Sequence, residues 1–335
     1  MIFLKKKILS ISHPFSYSLF FSDKKATERY VAVVLPQPDA PSRRLPPPLS
    51  QGGRTDVTLS IDSETTIHFW GPPPLDHRSD DDRPVMLLLH GFGPSSMWQW
   101  RRQMQAFSPS AFRVYSPDLV FFGDSTSSST NRTEVFQAEC MAKLMAKIGI
   151  GKYNVAGTSY GGFVAYHMAK MWPEKVEKVV IASSGINMRK CDGESLLQRS
   201  NCECIEKVML PSTATEFRTL MALASSWRLV RMFPDALWND VINNLYKKNR
   251  KEKIELLKGV TFGRSENLNI DSLSQEVLIV WGDKDQIFPV KMAYELKEIL
   301  GDKTKLEIID NTSHVPQIEC AQEFNNIVLR FLKGS

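Results

Sequence analysis

Residues 152–173 read KYNVAGTSYGGFVAYHMAKMWP. This sequence predicts a buried strand over 153–157, a tight turn centred on Ser159, and a helix over 160–172. Pro173 ends the helix, because proline cannot continue one. The turn contains the pentapeptide G-x-S-x-G, in which a serine hydroxyl is raised above the edge of a sheet.

The spacing of the glycines follows from the shape of such a turn. Ser159 must adopt a backbone conformation with positive φ, at a cost of about 1–3 kcal/mol. The turn also brings neighbouring backbone segments so close together that positions 157 and 161 have no room for a side chain, and both are glycine. The pentapeptide alone is a weak signal. The rest of the chain must therefore supply a base, an acid and an oxyanion hole.

The charge of the chain is concentrated in its N-terminal leader. The 335 residues are 42% hydrophobic and 24% charged, as in soluble globular proteins, and carry a net charge of +5. Residues 1–54 contain nine Lys or Arg and three Asp or Glu, which gives +6 and leaves −1 for the remainder. The body therefore has no basic excess for binding phosphates, and we expect no nucleic-acid partner.

The cysteines and glycosylation sequons indicate a reduced compartment. Five cysteines are an odd and sparse set, and Cys202-x-Cys204 lacks the second ligand pair of a zinc site, so we expect no metal. A glycan on the Asn311-Thr-Ser313 sequon would crowd His314. We therefore expect an intracellular protein, cytoplasmic or organellar, rather than a secreted one.

Residues 1–54 are predicted to be a disordered basic and proline-rich leader outside the fold. The apolar run over 8–21 is interrupted by His13, Pro14 and four serines and is too short to span a bilayer. No small-x-small cleavage site follows it. An organellar transit peptide is one interpretation; an unstructured extension or a misassigned start are the alternatives.

From residue 55 onward, predicted strands alternate with predicted helices, which is typical of a parallel sheet covered on both faces. The alternation stops over 187–268, where apolar side chains recur at helical spacing. We assign 55–186 and 269–335 to an α/β core and 187–268 to an inserted helical cap. The predicted strands are 56–61, 64–70, 85–89, 112–116, 153–157, 176–183, 277–281 and 306–309.

The strand over 85–89 ends in His90-Gly91-Phe92-Gly93. These glycines allow the loop to fold back over the sheet edge and direct a backbone N–H at a pocket. We predict that the backbone N–H groups of Phe92 and Tyr160 form the oxyanion hole, where one donor is worth about 2.7–4 kcal/mol. His90 precedes the loop and is expected to support it.

Ser159, Asp285 and His314 occur in that order, each after a predicted strand. In an open α/β sheet, ligands bind at the carboxyl ends of the strands. We predict that Ser159 attacks an acyl carbonyl, that His314 transfers its proton, and that Asp285 orients the imidazole. Asp283 competes for the acid role, and Asp285 is favoured because it lies further into the loop.

The segments HGFG, GTSYGG, GDKDQIFP and NTSHVPQIE together resemble the α/β-hydrolase superfamily over about residues 56–333. The similarity is to its esterase and monoacylglycerol-lipase-like branch, including plant members with segments such as HFW, PDLVFFG and MAKMWPEKVEKVV. The resemblance implies a mostly parallel eight-stranded sheet flanked by helices, a helical cap after the sixth strand and no cofactor. Similar enzymes with a single His-Gly-x loop tend to act on medium or long acyl chains.

Two positions differ from patterns in related proteins. Epoxide hydrolases and dehalogenases use a carboxylate nucleophile, so Ser159 argues against both activities. Many relatives have glycine three residues after the strand-end aspartate, where this chain has Asp118 followed by Phe121. A bulky apolar wall beside the pocket is one consequence of Phe121.

The sequence thus predicts a serine hydrolase that acts on a small-molecule ester with a lipophilic acyl group. One alternative is carbon–carbon bond hydrolysis of a diketone on the same triad, for which a cation such as Arg189 would bind a carboxylate. Another is a ligand receptor on the same fold without turnover. An apolar rim of the cap would allow peripheral contact with a membrane.

Overall fold

The computed structural model describes residues 55–72, 81–108, 111–226, 232–268 and 270–334. The predicted leader over 1–54 lies outside the described residues, so the transit-peptide interpretation stays a prediction. The predicted surface loop over 72–83 is described only at its two ends.

The described strands form one sheet with β5 at its margin. Along the sheet, the order is β1-β2-β4-β3-β6-β7-β8-β9, and β5 pairs with β2. The main path has the eight strands that the resemblance implies; β5 has two residues, too few to produce a sequence pattern. The strands are β1 Thr55–Ser60, β2 Thr65–Gly71, β3 Val85–Leu89, β4 Arg113–Pro117, β5 Thr126–Ser127, β6 Tyr153–Thr158, β7 Val176–Ala182, β8 Glu276–Gly282 and β9 Thr304–Ile309.

The sheet is antiparallel at one margin and parallel elsewhere. Strands β1 and β2 form a hairpin, and β2 runs antiparallel to β4. All pairings from β4 through β3, β6, β7 and β8 to β9 are parallel. Every residue of β3 and β6 is buried, as expected for central strands of a parallel sheet between two helical layers. The carboxyl ends of β3, β6, β7, β8 and β9 therefore share one edge.

Helices cover the sheet where apolar periodicity predicts them. The helices of the core are α1 Ser96–Phe107, α2 Glu134–Lys147, α3 Tyr160–Met171, α9 Lys291–Leu300, α10 Pro316–Glu319 and α11 Ala321–Lys333. Thr133 caps α2 by accepting a hydrogen bond from the Phe136 N–H. The α/β fold class is thereby confirmed.

Between β7 and β8, the predicted cap contains five described helices: α4 Lys190–Ser200, α5 Ile205–Met209, α6 Ala214–Ala224, α7 Asp235–Leu245 and α8 Arg250–Gly259. Phe217 of α6 packs against Trp238 and Tyr246, with ring centroids 4.8 and 5.8 Å apart. The sequence predicts the last three helices but misses α4 and α5. In α4, Gly193 and few apolar residues obscure the periodicity, and α5 has only five residues, too few to show one. The division into core and cap domains stays a prediction.

In the described part of the chain, no helix has both the length and the apolar character needed to cross a bilayer. Two large apolar side chains there are strongly exposed, Met232 at 78% and Tyr294 at 54%. Peripheral membrane contact through the cap stays a prediction.

Candidate active site

Ser159 lies at the junction of β6 and α3 in the strained conformation that the sequence predicts. Its φ and ψ angles are 52° and −123°. Hydrogen bonds hold the turn: the Ser159 N–H donates to the Ala182 carbonyl at 2.9 Å, and Ser184 Oγ donates to the Ser159 carbonyl at 2.7 Å. The surrounding contacts therefore sustain a backbone geometry that would otherwise relax.

The glycines of the turn are required by close backbone approach. A Cβ at Gly157 would overlap the carbonyl of Gly161, and a Cβ at Gly161 would overlap the carbonyl of Leu89. The turn thus packs directly on the end of β3, as its spacing predicts.

The loop after β3 lies against the serine. A Cβ at Gly91 would be 2.9 Å from the Cβ of Ser159. Gln99 fixes the loop, because its Oε1 accepts a hydrogen bond from the Gly91 N–H at 2.6 Å. Within the described ranges, the N–H groups of Phe92 and Tyr160 donate no hydrogen bond. Both are therefore available to an oxyanion.

His90 supports this loop as a neutral imidazole. Its Nδ1 lies 2.7 Å from the Gly91 carbonyl, and its Nε2 lies 2.9 Å from the Leu119 N–H. The first nitrogen therefore donates and the second accepts. Burial lowers the pKa of His90, and the charge of Lys253 adds to this effect against the opposing charge of Asp118.

A second histidine, His68 of β2, stabilises the same region as a cation. Its Nδ1 lies 2.8 Å from Asp118 Oδ2, and its Nε2 lies 2.6 Å from Asp56 Oδ1. Burial alone would lower the pKa of His68, but hydrogen bonds and charges from the two carboxylates raise it to about 9. Asp118 also accepts the Ser96 N–H at 2.7 Å, which joins β4 to the start of α1.

His314 and Asp285 meet directly at the carboxyl ends of β8 and β9. His314 Nδ1 lies 2.9 Å from Asp285 Oδ2, and the two side chains are 5% and 0% exposed. The other carboxylate oxygen, Oδ1, accepts the N–H groups of Ile287 and Phe288, each at 2.9 Å. This arrangement fixes the carboxylate and places the Nδ1 proton of the imidazole toward it, which leaves Nε2 as the proton acceptor.

The competing carboxylate, Asp283, has a different role. It pairs with Lys284 at 2.7 Å and accepts the Thr312 N–H at 3.2 Å. A Cβ at Gly282 would overlap the carbonyls of Thr312 and Ser313. Asp283 and Gly282 thus join the two loops that carry the acid and the histidine, and Asp285 alone of these aspartates contacts His314.

Aromatic rings connect the serine side of the site to the histidine. The ring of Phe288 lies 5.5 Å from that of His314 and 6.3 Å from that of Phe163 on α3. In the described chain, no hydrogen bond joins Ser159 Oγ to His314. Such bonds are often long before substrate binds and shorten in the reacting complex.

The predicted cap is tied to the histidine loop through Glu319 and Ser313. Ser226, just after α6, donates through its Oγ to Glu319 Oε2 at 2.5 Å. Ser313 donates through its Oγ to the Leu223 carbonyl at 3.2 Å. Burial raises the pKa of Glu319, although hydrogen bonds from Ser226 and Ser313 oppose this. Packing of the predicted cap therefore helps to position Ser313, the residue before His314.

Phe121 retains the backbone conformation that a glycine would adopt. Its φ is 74°, in the left-handed region, and it is 3% exposed. Its ring lies beneath the Arg132 guanidinium, with Cζ 4.5 Å from the centroid, and its carbonyl accepts the Asn249 side-chain amide at 3.1 Å. Phe121 is therefore held between the core and α8.

Arg189 is engaged at the surface of the cap. Its Nη2 lies 2.5 Å from Glu295 Oε1, and its Nη1 lies 3.0 Å from Glu295 Oε2. This two-point pair occupies the guanidinium that was the candidate for binding a substrate carboxylate.

Sequence reasoning missed four charged residues in this region: His68, Glu134, Lys253 and Glu319. Each is 5% exposed or less. Their positions in otherwise amphipathic elements carry no signal that separates them from surface residues. The described residues contain no group of three or more His, Cys, Asp or Glu that could hold a metal ion, and all five cysteines are free thiols.

The chain is similar to known hydrolases along most of its length. A model of the α/β hydrolase fold family matches residues 84–321. A 2-hydroxy-6-oxononadienedioate/2-hydroxy-6-oxononatrienedioate hydrolase from Pseudomonas sp is 26% identical over 268 residues, covering 74% of this chain and 87% of that protein.

Solved structures show the same architecture. A bacterial membrane phospholipase A superposes with a TM-score of 0.68 at 22% identity, covering 84% of this chain and 86% of its own. Carboxylesterase CesB from Bacillus subtilis superposes with a TM-score of 0.65 at 22% identity, covering 84% and 92%. At these identities, the likeness concerns the fold.

Proposed function

Because the chain belongs to the α/β-hydrolase family and is a hydrolase, we propose that it cleaves a carboxylic ester with a lipophilic acyl group through an acyl-enzyme on Ser159. The observation that carries this proposal is the paired Asp285 and His314 at the sheet edge where β6 ends in a strained serine.

In the proposed reaction, Ser159 Oγ bonds to the acyl carbon while its proton passes to His314 Nε2. The developing oxyanion accepts hydrogen bonds from the N–H groups of Phe92 and Tyr160. Collapse of this intermediate breaks the bond to the alcohol oxygen, which takes the proton from Nε2. Water then attacks the acyl carbon and gives a proton to His314 Nε2. Collapse of this second intermediate breaks the bond to Ser159 Oγ, which takes that proton back from Nε2, and the acid is released.

The lipophilic acyl group is supported by the apolar surroundings of the predicted oxyanion hole. Phe92 contacts the rings of Phe122 and Tyr160 at 5.0 and 5.6 Å, and Phe163 continues this surface toward Phe262 of the cap at 5.1 Å. An acyl chain along these rings would bury apolar area at about 25 cal/mol per Å².

Carbon–carbon bond hydrolysis is the second candidate. It is favoured by the dienedioate hydrolase relative, which matches 74% of this chain. The same serine, histidine and oxyanion hole would serve a diketone.

A substrate panel tests the proposal. It comprises p-nitrophenyl esters of graded acyl length, monoacylglycerols and a diketone that carries a carboxylate, with Ser159→Ala as the control. We expect turnover of the esters that rises with acyl length and is lost in the variant. Turnover of the diketone alone would support the second candidate. Turnover of none by the wild type would contradict both and favour a receptor.

A further inference from the structure

Strand β9, Thr304–Ile309, forms one margin of the sheet. It pairs with β8 on one side, and no other strand of the described chain pairs with its outer side. An open edge presents unpaired N–H and C=O groups to which another strand can add. The opposite margin, β1, carries one charged residue, Asp56, whose carboxylate is bound by His68. The charges that could select a partner strand therefore lie on β9.

The backbone groups that point away from β8 belong to alternate residues of β9. The carbonyls of Lys303 and Ile309 accept hydrogen bonds from N–H groups of β8 and of the residue after it, at 3.1 and 3.2 Å. Successive residues of a strand direct these groups to opposite sides, so the odd-numbered residues face β8. The N–H and C=O groups of Leu306 and Ile308 therefore point outward, as does the carbonyl of Thr304. The Thr304 N–H is bound within the preceding turn.

The side chains of β9 alternate between the two faces of the sheet. Leu306 and Ile308 pack against the apolar cluster that includes α9, whereas Ile309 packs on the face covered by α11. Because side chains alternate along a strand, Lys305 and Glu307 share the α11 face with Ile309. Lys305 is exposed and Glu307 is half-buried. The open edge thus carries a positive and a negative charge two residues apart on one face.

A second copy of β9 fits this edge when it runs antiparallel and Leu306 lies opposite Leu306. The outward N–H and C=O groups then oppose one another, and Lys305 of each copy lies opposite Glu307 of the other. Side chains at such positions are close, and opposite charges there stabilise the pair. A register centred on Lys305 or on Glu307 would instead place like charges opposite each other. The charge order of β9 therefore selects one register.

A groove between β9 and α11 adds to this complementarity. Its lining residues include Glu307, Ile308, Gln322, Glu323, Asn326 and Arg330. Arg330 Nη2 lies 3.4 Å from Glu307 Oε1. The groove thus contains two carboxylates and one guanidinium, and its net charge is negative. Lys305 of a second copy would bring a positive charge to this groove.

From this geometry, we propose that the chain forms a two-fold symmetric dimer in which the β9 strands pair antiparallel and the two sheets become one. Hydrogen bonds would join the two Leu306 residues, and each Ile308 N–H would donate to the Thr304 carbonyl of the other copy. The same symmetry brings α9 beside α9 and α11 beside α11. These helices supply the area that two strands alone lack, because stable interfaces bury about 1,200–2,000 Å². The dimer is independent of the proposed hydrolysis.

Sedimentation equilibrium of the full chain over a concentration series tests the dimer. We expect the wild type to show a monomer–dimer equilibrium. Lys305→Glu and Glu307→Lys should each raise the dimer Kd about tenfold or more, because like charges then lie opposite each other at two places. Lys147→Glu makes the same change of charge at an exposed position of α2 and should keep the Kd within about threefold of the wild type.

Mixing the two variants tests the register. A dimer of one Lys305→Glu chain with one Glu307→Lys chain restores an opposite-charge pair at both places. We therefore expect the equimolar mixture to dimerise with a Kd within about threefold of the wild type, although neither variant does so alone.

Amide hydrogen exchange provides a second measurement. At a concentration where the wild type is dimeric, the N–H groups of Leu306 and Ile308 should exchange more slowly in the wild type than in Lys305→Glu. Exchange in β8, which is paired on both sides in either state, should not differ.

Three results would overturn the inference. A wild type that stays monomeric at every concentration excludes the dimer, and slow exchange at Leu306 in that monomer would assign the edge to another segment of the same chain. A dimer whose Kd does not respond to Lys305→Glu or Glu307→Lys uses another surface. A mixture that dimerises no better than the separate variants contradicts the pairing of Lys305 with Glu307.

Discussion

His314 Nδ1 lies 2.9 Å from Asp285 Oδ2, although the two residues are 29 positions apart in the chain. Two features bring them together: the absence of a side chain at Gly282, and hydrogen bonds between the loops after β8 and β9. Asp283, two residues earlier, takes part in joining these loops and does not contact the imidazole. The geometry thus gives neighbouring aspartates different roles.

We expect Asp285→Asn to lower kcat by about 10⁴, because an amide can donate to Nδ1 and so favours the wrong imidazole tautomer. Asp283→Asn is the matched control. Its side-chain oxygen can still accept the Thr312 N–H, and it loses only a surface ion pair, worth about 0–1 kcal/mol. Its kcat should therefore stay within about threefold of the wild type.

Steady-state kinetics on the best ester of the panel, with unfolding curves for both variants, checks this prediction. Equal losses in the two variants would contradict the assignment of Asp285 as the group that orients His314.

The main elements of the fold follow from sequence because their patterns are strong. Strand β3 is a continuous apolar run, and the glycines on either side of Ser159 have steric causes that a sequence pattern reflects directly. The order of serine, aspartate and histidine then places all three at one sheet edge. Short elements such as β5 and α5 are not predicted, because they contain too few residues to show a periodic pattern.

The buried charged residues could not be predicted from the sequence for a different reason. His68 lies on β2 and pairs with Asp118, but a partner 50 residues away leaves no local pattern. Lys253 and Lys251 lie on opposite faces of α8: Lys253 is on the face packed against the core, and Lys251 is on the exposed face. Which face of a short, charge-rich helix is buried depends on docking contacts such as Glu255 with Arg132, and these are tertiary.

Phe121 provides a stability prediction that depends on its backbone. Removing its buried ring should cost about 3–5 kcal/mol. At ordinary φ, alanine is more stabilising than glycine by about 0.5–1 kcal/mol. At a φ of 74°, the order should reverse, because a left-handed conformation costs alanine about 1 kcal/mol or more.

Urea unfolding of Phe121→Gly and Phe121→Ala measures this difference, with the glycine variant expected to be the more stable. Phe122, whose φ is not positive, is the control position, and there the alanine variant should be the more stable. A Phe121→Ala protein more stable than Phe121→Gly would contradict the assigned backbone conformation.

His68 should make stability depend on pH. Its pKa of about 9 in the folded chain lies above the ordinary value of 6.5. Its contribution to the free energy of unfolding is therefore complete below pH 6.5 and is lost as pH rises through 9, by at most about 3 kcal/mol. His68→Gln should be less stable at pH 6 but lack this loss.

Urea unfolding midpoints of both proteins at pH 6, 7.5 and 9.5 test whether the charge of His68 contributes to stability. The difference between the two proteins should shrink as pH rises, and groups common to both cancel in it. A difference that is constant over this range would mean that folding does not raise the pKa of His68.

Ser159→Ala should lower turnover by about 10⁶, the scale observed when a triad nucleophile is removed. A substitution this small leaves the packing of the turn at residue 159 unchanged, which a thermal unfolding curve can verify. Retention of a tenth of the wild-type activity would assign the nucleophile to another residue.

The most direct measurement is covalent labelling with a fluorophosphonate probe, read by intact mass and by peptide mapping. The wild type should gain one probe per chain, attached to Ser159, and the Ser159→Ala and His314→Ala variants should gain essentially none. An unlabelled wild-type protein, or a label on a residue other than Ser159, would contradict a nucleophilic serine activated by His314.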